Sequence, residues 1–179
     1  MLSKFSVPKY QRGFDCLSLC LFVAIFLLTL QGCNQEKKVN QPQEAIPFSL
    51  LDVDSLQYKL IDHSGKVVLL HFWADWCPHC RKEFAKIQQA SDQLQEKGLV
   101  ILAVNVGQGR EHVLELKREY RLTIPLLLDD KKEIADKYGV TGLPTSFFID
   151  RRGKIREKKI GWLSVEYIRS NFEKIGAEN

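Results

Sequence analysis

With 179 residues, 45% of them apolar, and a formal net charge of +4, the chain has room for one packed domain plus a leader. The charge is mild, and no aromatic residues interleave with the basic ones, so nothing points to nucleic acid. Five cysteines are present, two of them in an apolar leader, which is no structural disulfide framework.

Lys4, Lys9 and Arg12 form a basic opening, and residues 16–30 are uncharged and mostly apolar. Leu30-Gln31-Gly32-Cys33 follows, with a small residue just before a cysteine. This order reads as a bacterial export signal over 1–32. Leu-x-Gly-Cys resembles a lipobox, which implies that Cys33 is lipidated and becomes the first mature residue. The alternative is an uncleaved signal anchor, for which 16–30 is short. Either way the domain is expected outside the cytoplasm, at the outer face of the cytoplasmic membrane or on the periplasmic side of a membrane. Residues 33–47 hold the anchor cysteine and a polar stretch with almost no apolar content, a flexible tether. Its free part has a reach of roughly 20 Å. The folded domain is expected over 48–179.

Short apolar stretches over 48–61, broken by aspartates and by His63-Ser64-Gly65, predict a hairpin. Val67–Trp73 is a continuous apolar run, as in a strand buried on both faces. Residues 78–97 follow as a helix with Phe84, Ile87, Ser91 and Leu94 on one face, stopped by Gly98. Leu99–Val106 is a second buried strand. Residues 111–120 carry Val113, Leu114, Leu116, Lys117 and Tyr120, a helix with one apolar face, and 125–128 is a short strand. Asp130 and Glu133 suggest a capping box for a helix over 131–138, ended by Gly139. Thr145–Ile149 and 154–160 form a hairpin whose basic run, Arg151 to Lys159, is read as a solvated turn around Gly153. Residues 164–175 close the chain as a helix with Val165, Ile168, Phe172 and Ile175 inward. Alternating strands and helices, then a hairpin and a helix, predict an α/β fold: a mixed sheet with helices on both faces.

The chemistry concentrates at Phe72-Trp73-Ala74-Asp75-Trp76-Cys77-Pro78-His79-Cys80-Arg81-Lys82-Glu83-Phe84. Pro78 falls at a first helical position, where a missing N–H costs nothing. Cys77 therefore sits at the helix mouth, facing orphan N–H groups and the positive end of the dipole, which stabilise a thiolate. Cys80, one turn on, is placed to attack a mixed disulfide formed at Cys77. A half zinc site is the competing reading, but no second C-x-x-C completes it.

Trp-Ala-Asp-Trp-Cys-Pro-His-Cys resembles a thioredoxin-family active site. The Arg-Lys-Glu-Phe that follows is similar to the membrane-tethered TlpA/ResA-like thiol–disulfide oxidoreductases. Gly142-Leu143-Pro144-Thr145 supports the match, which runs from about Ile46 to Ile175. The resemblance implies a thioredoxin fold with an N-terminal hairpin and an inserted helix–strand unit at about 108–128. It implies a cis bond before Pro144, with Leu143 offering its backbone to an extended substrate. Trp73 is expected in the packing, and Trp76 on the substrate-facing rim. Glu83 matches a glutamate that tunes thiols and moves protons in that branch; a surface glutamate paired with a lysine is the plainer reading. His79 can stabilise the thiolate, and Pro-His resembles the pair of the oxidising DsbA family. His71 departs from the pattern, where soluble thioredoxins carry Asp and the tethered branch often Asn. Two roles stay open for it: a satisfied core residue, or a proton carrier for Cys80. His63 and His112 are expected at the surface.

The expected activity is reduction of protein disulfides, with the Cys77–Cys80 disulfide as the redox centre and no other cofactor or metal. A membrane electron donor is the implied partner, and apocytochrome c thiols or copper-site cysteines are substrates in the resembling family. Disulfide donation by the same atoms, a copper chaperone using Cys77, Cys80 and a histidine, and a thiol peroxidase are the alternatives weighed.

Overall fold

The structure, a computed structural model, describes residues 43–177. The export signal over 1–32, Cys33 and most of the tether lie outside the described residues. Seven strands and four α-helices follow in order: β1 (Ser49–Leu51), β2 (Gln57–Lys59), β3 (Val67–Trp73), α1 (Pro78–Leu94), β4 (Leu99–Val106), α2 (Arg110–Glu119), β5 (Leu126–Asp129), α3 (Glu133–Lys137), β6 (Thr145–Ile149), β7 (Ile155–Ile160) and α4 (Val165–Ala177). The main sheet has the order β5-β4-β3-β6-β7. β4 runs parallel to β3 and β5, while β6 is antiparallel to β3 and β7. This is the expected α/β arrangement, the thioredoxin fold.

β3 is central, and all seven of its residues are buried, as its unbroken apolar run requires. Its alternate residues serve two cores. Val67, Leu69 and Trp73 face the layer built by α1, α2 and α4. Val68, Leu70 and Phe72 face α3 and the N-terminal segment. Phe84, Ile87 and Leu94 of α1 are each almost wholly buried, worth about 1.5–3 kcal/mol apiece. α1 passes into a 3-10 turn at Gln95–Lys97 and stops at Gly98, whose φ of +103° suits glycine alone.

The tether, one helix and one histidine differ most from the sequence reading. The tether expected to run to residue 47 ends earlier. Ala45 N–H donates to Gly153 O at 2.8 Å, Ile155 N–H to Gln43 O at 2.7 Å, and Ile46 packs on the core. Two small apolar residues in a polar stretch gave no periodic signal of this. The helix expected over 131–138 shortens to Glu133–Lys137, and Asp130 does not cap it. Lys132 sits left-handed at its N-terminus, and Asp129 supplies the cap, accepting N–H bonds from Ile134 at 3.1 Å and Ala135 at 2.9 Å. His63 is half-buried rather than exposed, stacked with Tyr58. The hairpin β1–β2 forms as expected and bridges to β5 through Asp52 and Leu127. Among the described residues no helix is long and apolar enough to cross a membrane.

Candidate active site

β3 ends at Trp73, and after four intervening residues α1 begins at Pro78 with Cys77 as its N-cap. The Cys77 sulfur accepts the Cys80 N–H at 3.3 Å, so an orphan donor of the first turn points at the sulfur. Cys77 and Cys80 are joined in a disulfide. Cys77 is 4% exposed and Cys80 fully buried, so an incoming sulfur meets Cys77 first. Trp76 before it is 68% exposed, and Pro78 and His79 are exposed as well.

The loop that presents Cys77 is fastened from the loop that follows β4. Gln108 Oε1 accepts the Asp75 N–H at 2.5 Å and an Asn105 Nδ2–H at 2.9 Å. Arg81, in the first turn of α1, spans Asp75 at 3.2 Å and Glu119 at 3.0 Å. The inserted helix α2 thus holds the start of α1. Gln108 and Glu119 lie far from the motif in sequence, and nothing in their local context singled them out.

Beneath the dithiol lies a chain of buried polar groups. Glu83 is 1% exposed, which overturns the surface reading of it. Its Oε2 accepts the Leu163 N–H at 2.7 Å, and its Oε1 lies 3.3 Å from His71 Nε2. That last contact is close but not aligned as a hydrogen bond. On its other side His71 Nδ1 meets Ser146 Oγ at 2.9 Å. Burial pushes the Glu83 carboxyl up to about 7, with the Leu163 N–H and Lys86 partly opposing the shift. Burial pushes His71 down to about 3, so the imidazole is neutral near pH 7. The two roles left open for His71 meet here: it is a core residue, and it touches a carboxyl that titrates near neutrality. Ser146 was not found from sequence, because it is an ordinary residue in a strand until β3 and β6 pair His71 with it.

The Leu143–Pro144 peptide bond is cis. Pro144 is buried, Leu143 is half-buried against both cores, and Thr145 Oγ1 donates to Gly142 O at 2.6 Å. Gly161 N–H donates to Pro144 O at 2.9 Å, which ties this loop to the end of β7. No cluster of His, Cys, Asp or Glu able to hold a metal occurs among the described residues.

A model of the AhpC/TSA family matches residues 42–158. The thiol–disulfide oxidoreductase ResA of Geobacillus thermodenitrificans is 35% identical over 128 residues, covering 72% of this chain and 74% of its own length. The same-named protein of Bacillus cereus is 33% identical over 165 residues, 87% of this chain and 95% of the relative. Among solved structures, StoA of Bacillus subtilis superimposes with a TM-score of 0.63 at 29% identity, over 72% of this chain and 98% of StoA. A dithiol at a helix mouth and relatives, matched over most of their length, that carry the name of its chemistry agree: this chain belongs to the AhpC/TSA family, as a ResA-like thiol–disulfide oxidoreductase.

Proposed function

We propose that the chain is a membrane-tethered reductase of protein disulfides, working outside the cytoplasm. The observation that carries this is the unequal pair: Cys77 caps α1 with its sulfur toward an N–H, and Cys80 is wholly enclosed behind it. Cys77 as thiolate attacks one sulfur of a substrate disulfide, forming a mixed disulfide and releasing one substrate thiolate. Cys80 then loses its proton and attacks the Cys77 sulfur. The mixed bond breaks, the second substrate thiolate leaves, and the Cys77–Cys80 disulfide remains. Glu83, backed by His71, is the acceptor for the Cys80 proton. Its displaced affinity suits that task, because a group titrating near 7 both takes and returns a proton at neutral pH. Trp76, Leu143 and Pro144 border the path of the substrate, and Leu143 offers backbone groups to an extended segment.

The lipobox-like Leu30-Gln31-Gly32-Cys33 supports an anchor through lipid on Cys33, which mass spectrometry of the mature N-terminus tests. A membrane protein supplies the electrons that reopen the disulfide, and thiols of apocytochrome c awaiting haem are one substrate class suited to such a tethered reductase. Disulfide donation is the second reading, favoured by Pro78-His79 between the cysteines. The deciding experiment uses Cys80→Ala, which stops the second step and holds substrates on Cys77. Mixed disulfides with exported dithiol proteins, together with a mostly reduced wild-type pair after acid quench in cells, are expected. A mostly oxidised pair in cells with an intact electron supply transfers the assignment to the disulfide donor.

A further inference from the structure

Beside the dithiol lies a surface that the sulfur chemistry leaves unused. The bond from Gly161 N–H to Pro144 O brings residues 160–162 next to the cis peptide. There Ile160 is 60% and Trp162 55% exposed. Exposed large apolar side chains beside an active site mark an interaction surface rather than a folding need.

Trp162 stands between two hollows and lines both. One, of about 180 Å³, is bordered by His79, Lys82, Glu83 and Lys86. The other, of about 340 Å³, is bordered by Lys159, Ile160, Ser164 and Tyr167. Lys86 Nζ lies 4.5 Å from the Trp162 ring centroid, and Lys159 Nζ lies 5.5 Å from that of Tyr167. Among the described residues none of Lys82, Lys86 and Lys159 is in an ion pair. Glu83, which reaches the first lining, is buried and engaged from within, and Lys86 also acts on its carboxyl. The surface thus carries three lysines and two aromatic rings: Lys86 rests on Trp162 and Lys159 on Tyr167, while Glu166 lies within electrostatic reach of Lys86 and Glu157 accepts the Tyr167 hydroxyl at 3.2 Å.

We propose that this surface seats an acidic, extended segment of the substrate protein next to its disulfide, with a bulky apolar side chain on Trp162 and carboxylates on Lys82, Lys86 and Lys159. The proposal rests on the reductase reading and adds a substrate class to it. Concavity favours a polypeptide over a lipid surface, because two separate hollows accept individual side chains. Exposed lysines at the rim act chiefly on encounter and selection, and Trp162 on residence.

The test uses full-length protein in neutral detergent, pre-reduced and freed of reductant. Two peptides, each with one internal disulfide, differ in flanking glutamates against flanking lysines. Hydroxyethyl disulfide, small and uncharged, reports the dithiol alone. At low salt the acidic peptide should be reduced about tenfold or more faster, and the preference should shrink toward parity near 1 M salt as screening shortens to about 3 Å. Lys82→Gln with Lys159→Gln should remove most of the preference and leave the hydroxyethyl disulfide rate unchanged. Trp162→Ala should slow both peptides, by about tenfold. Parity between the peptides with normal hydroxyethyl disulfide turnover overturns the proposal alone. Failure on all three disulfides overturns the reductase reading and this proposal with it. Parity combined with a Trp162-dependent fluorescence shift that requires anionic phosphatidylglycerol vesicles assigns the surface to lipid and also overturns the proposal.

Discussion

Glu83, on α1, and Asp150, in the turn after β6, are two carboxylates almost wholly out of contact with solvent, 1% and 2% exposed. Burial raises the affinity of each for a proton. At Asp150 that effect is outweighed. The Lys154 N–H at 2.9 Å, the Arg156 guanidinium at 2.7 Å and the Arg152 N–H at 2.9 Å hold its carboxyl below the usual range. At Glu83 it is not outweighed: one backbone N–H and a neutral imidazole leave the carboxyl near 7. Burial acts on both carboxyls; three donors outweigh it at Asp150, and one backbone N–H does not at Glu83. A tight turn supplies donors from its own next residues, as at Asp150. Glu83 depends on Leu163, 80 residues away, and on one strand neighbour of its helix. The first arrangement fixes a charge for structure; the second leaves a proton free to move.

The largest expected effect tests the structural half of this contrast. Asp150→Ala removes three donors' acceptor at once and takes a carboxylate from the half-buried Arg156. Urea unfolding at pH 7 should show a loss of about 3–4 kcal/mol, with thiol reactivity unchanged. A loss below about 1 kcal/mol would put Asp150 among ordinary surface carboxylates.

Glu83→Gln should act with the opposite sign. A carboxyl raised from its ordinary 4.5 to about 7 binds more protons folded than unfolded between those values. Its contribution is therefore complete below 4.5 and is lost as pH rises through 7. The amide does not titrate, so the variant should match wild type near pH 5 and exceed it by about 2–3 kcal/mol near pH 8.5. A difference that stays constant with pH would falsify the raised affinity of Glu83.

What the sequence revealed follows the same division between local and distant causes. β3, α1 and their junction were legible because an unbroken apolar run, a proline at the first helical position and Gly98 each act within a few residues. The dithiol inherits that legibility, since Cys77 and Cys80 share one turn. Glu83 could be placed on their helix by spacing, but its burial could not be read there, because Leu163 and His71 come from other elements. Ser146 and Gln108 escaped altogether: each takes its place only through strand pairing or a loop contact. The misplaced cap at Asp130 failed by one residue, because a left-handed Lys132 lets the preceding Asp129 reach the helix.

A third experiment separates His71 from Glu83. A histidine lowered from 6.5 to about 3 contributes stability that is whole above 6.5 and lost as pH falls toward 3. Between 6.5 and 4.5 the gain from protonating Glu83 offsets that loss. Below 4.5 Glu83 no longer offsets it, and His71 contributes about 2 kcal/mol of the loss by pH 3. His71→Asn should flatten this acid limb relative to wild type, whatever its constant cost in packing. Parallel limbs in the two proteins would mean that His71 is already protonated when folded at pH 4.5.

The smallest expected effect reads the link from Glu83 to sulfur. In the reduced protein Cys80 lies one turn before Glu83 on α1. When Glu83 is ionised, its charge opposes the loss of the Cys80 proton, because like charges raise the thiol's affinity. His71 does not cancel this, because a neutral imidazole brings no positive charge. Lys86 is the cation that does act on the carboxylate, from the exposed side. Glu83→Gln should accordingly lower the Cys80 pKa by about one unit, ~1.4 kcal/mol, and leave Cys77 the faster cysteine toward iodoacetamide. Thiolate absorbance against pH, in wild type and variant, measures both thiols. A Cys80 titration that does not move would leave Glu83 as a buried proton holder without electrostatic reach to the sulfur. A rise would mean that removing the carboxylate costs the thiolate more through lost hydrogen bonding than it gains from lost repulsion.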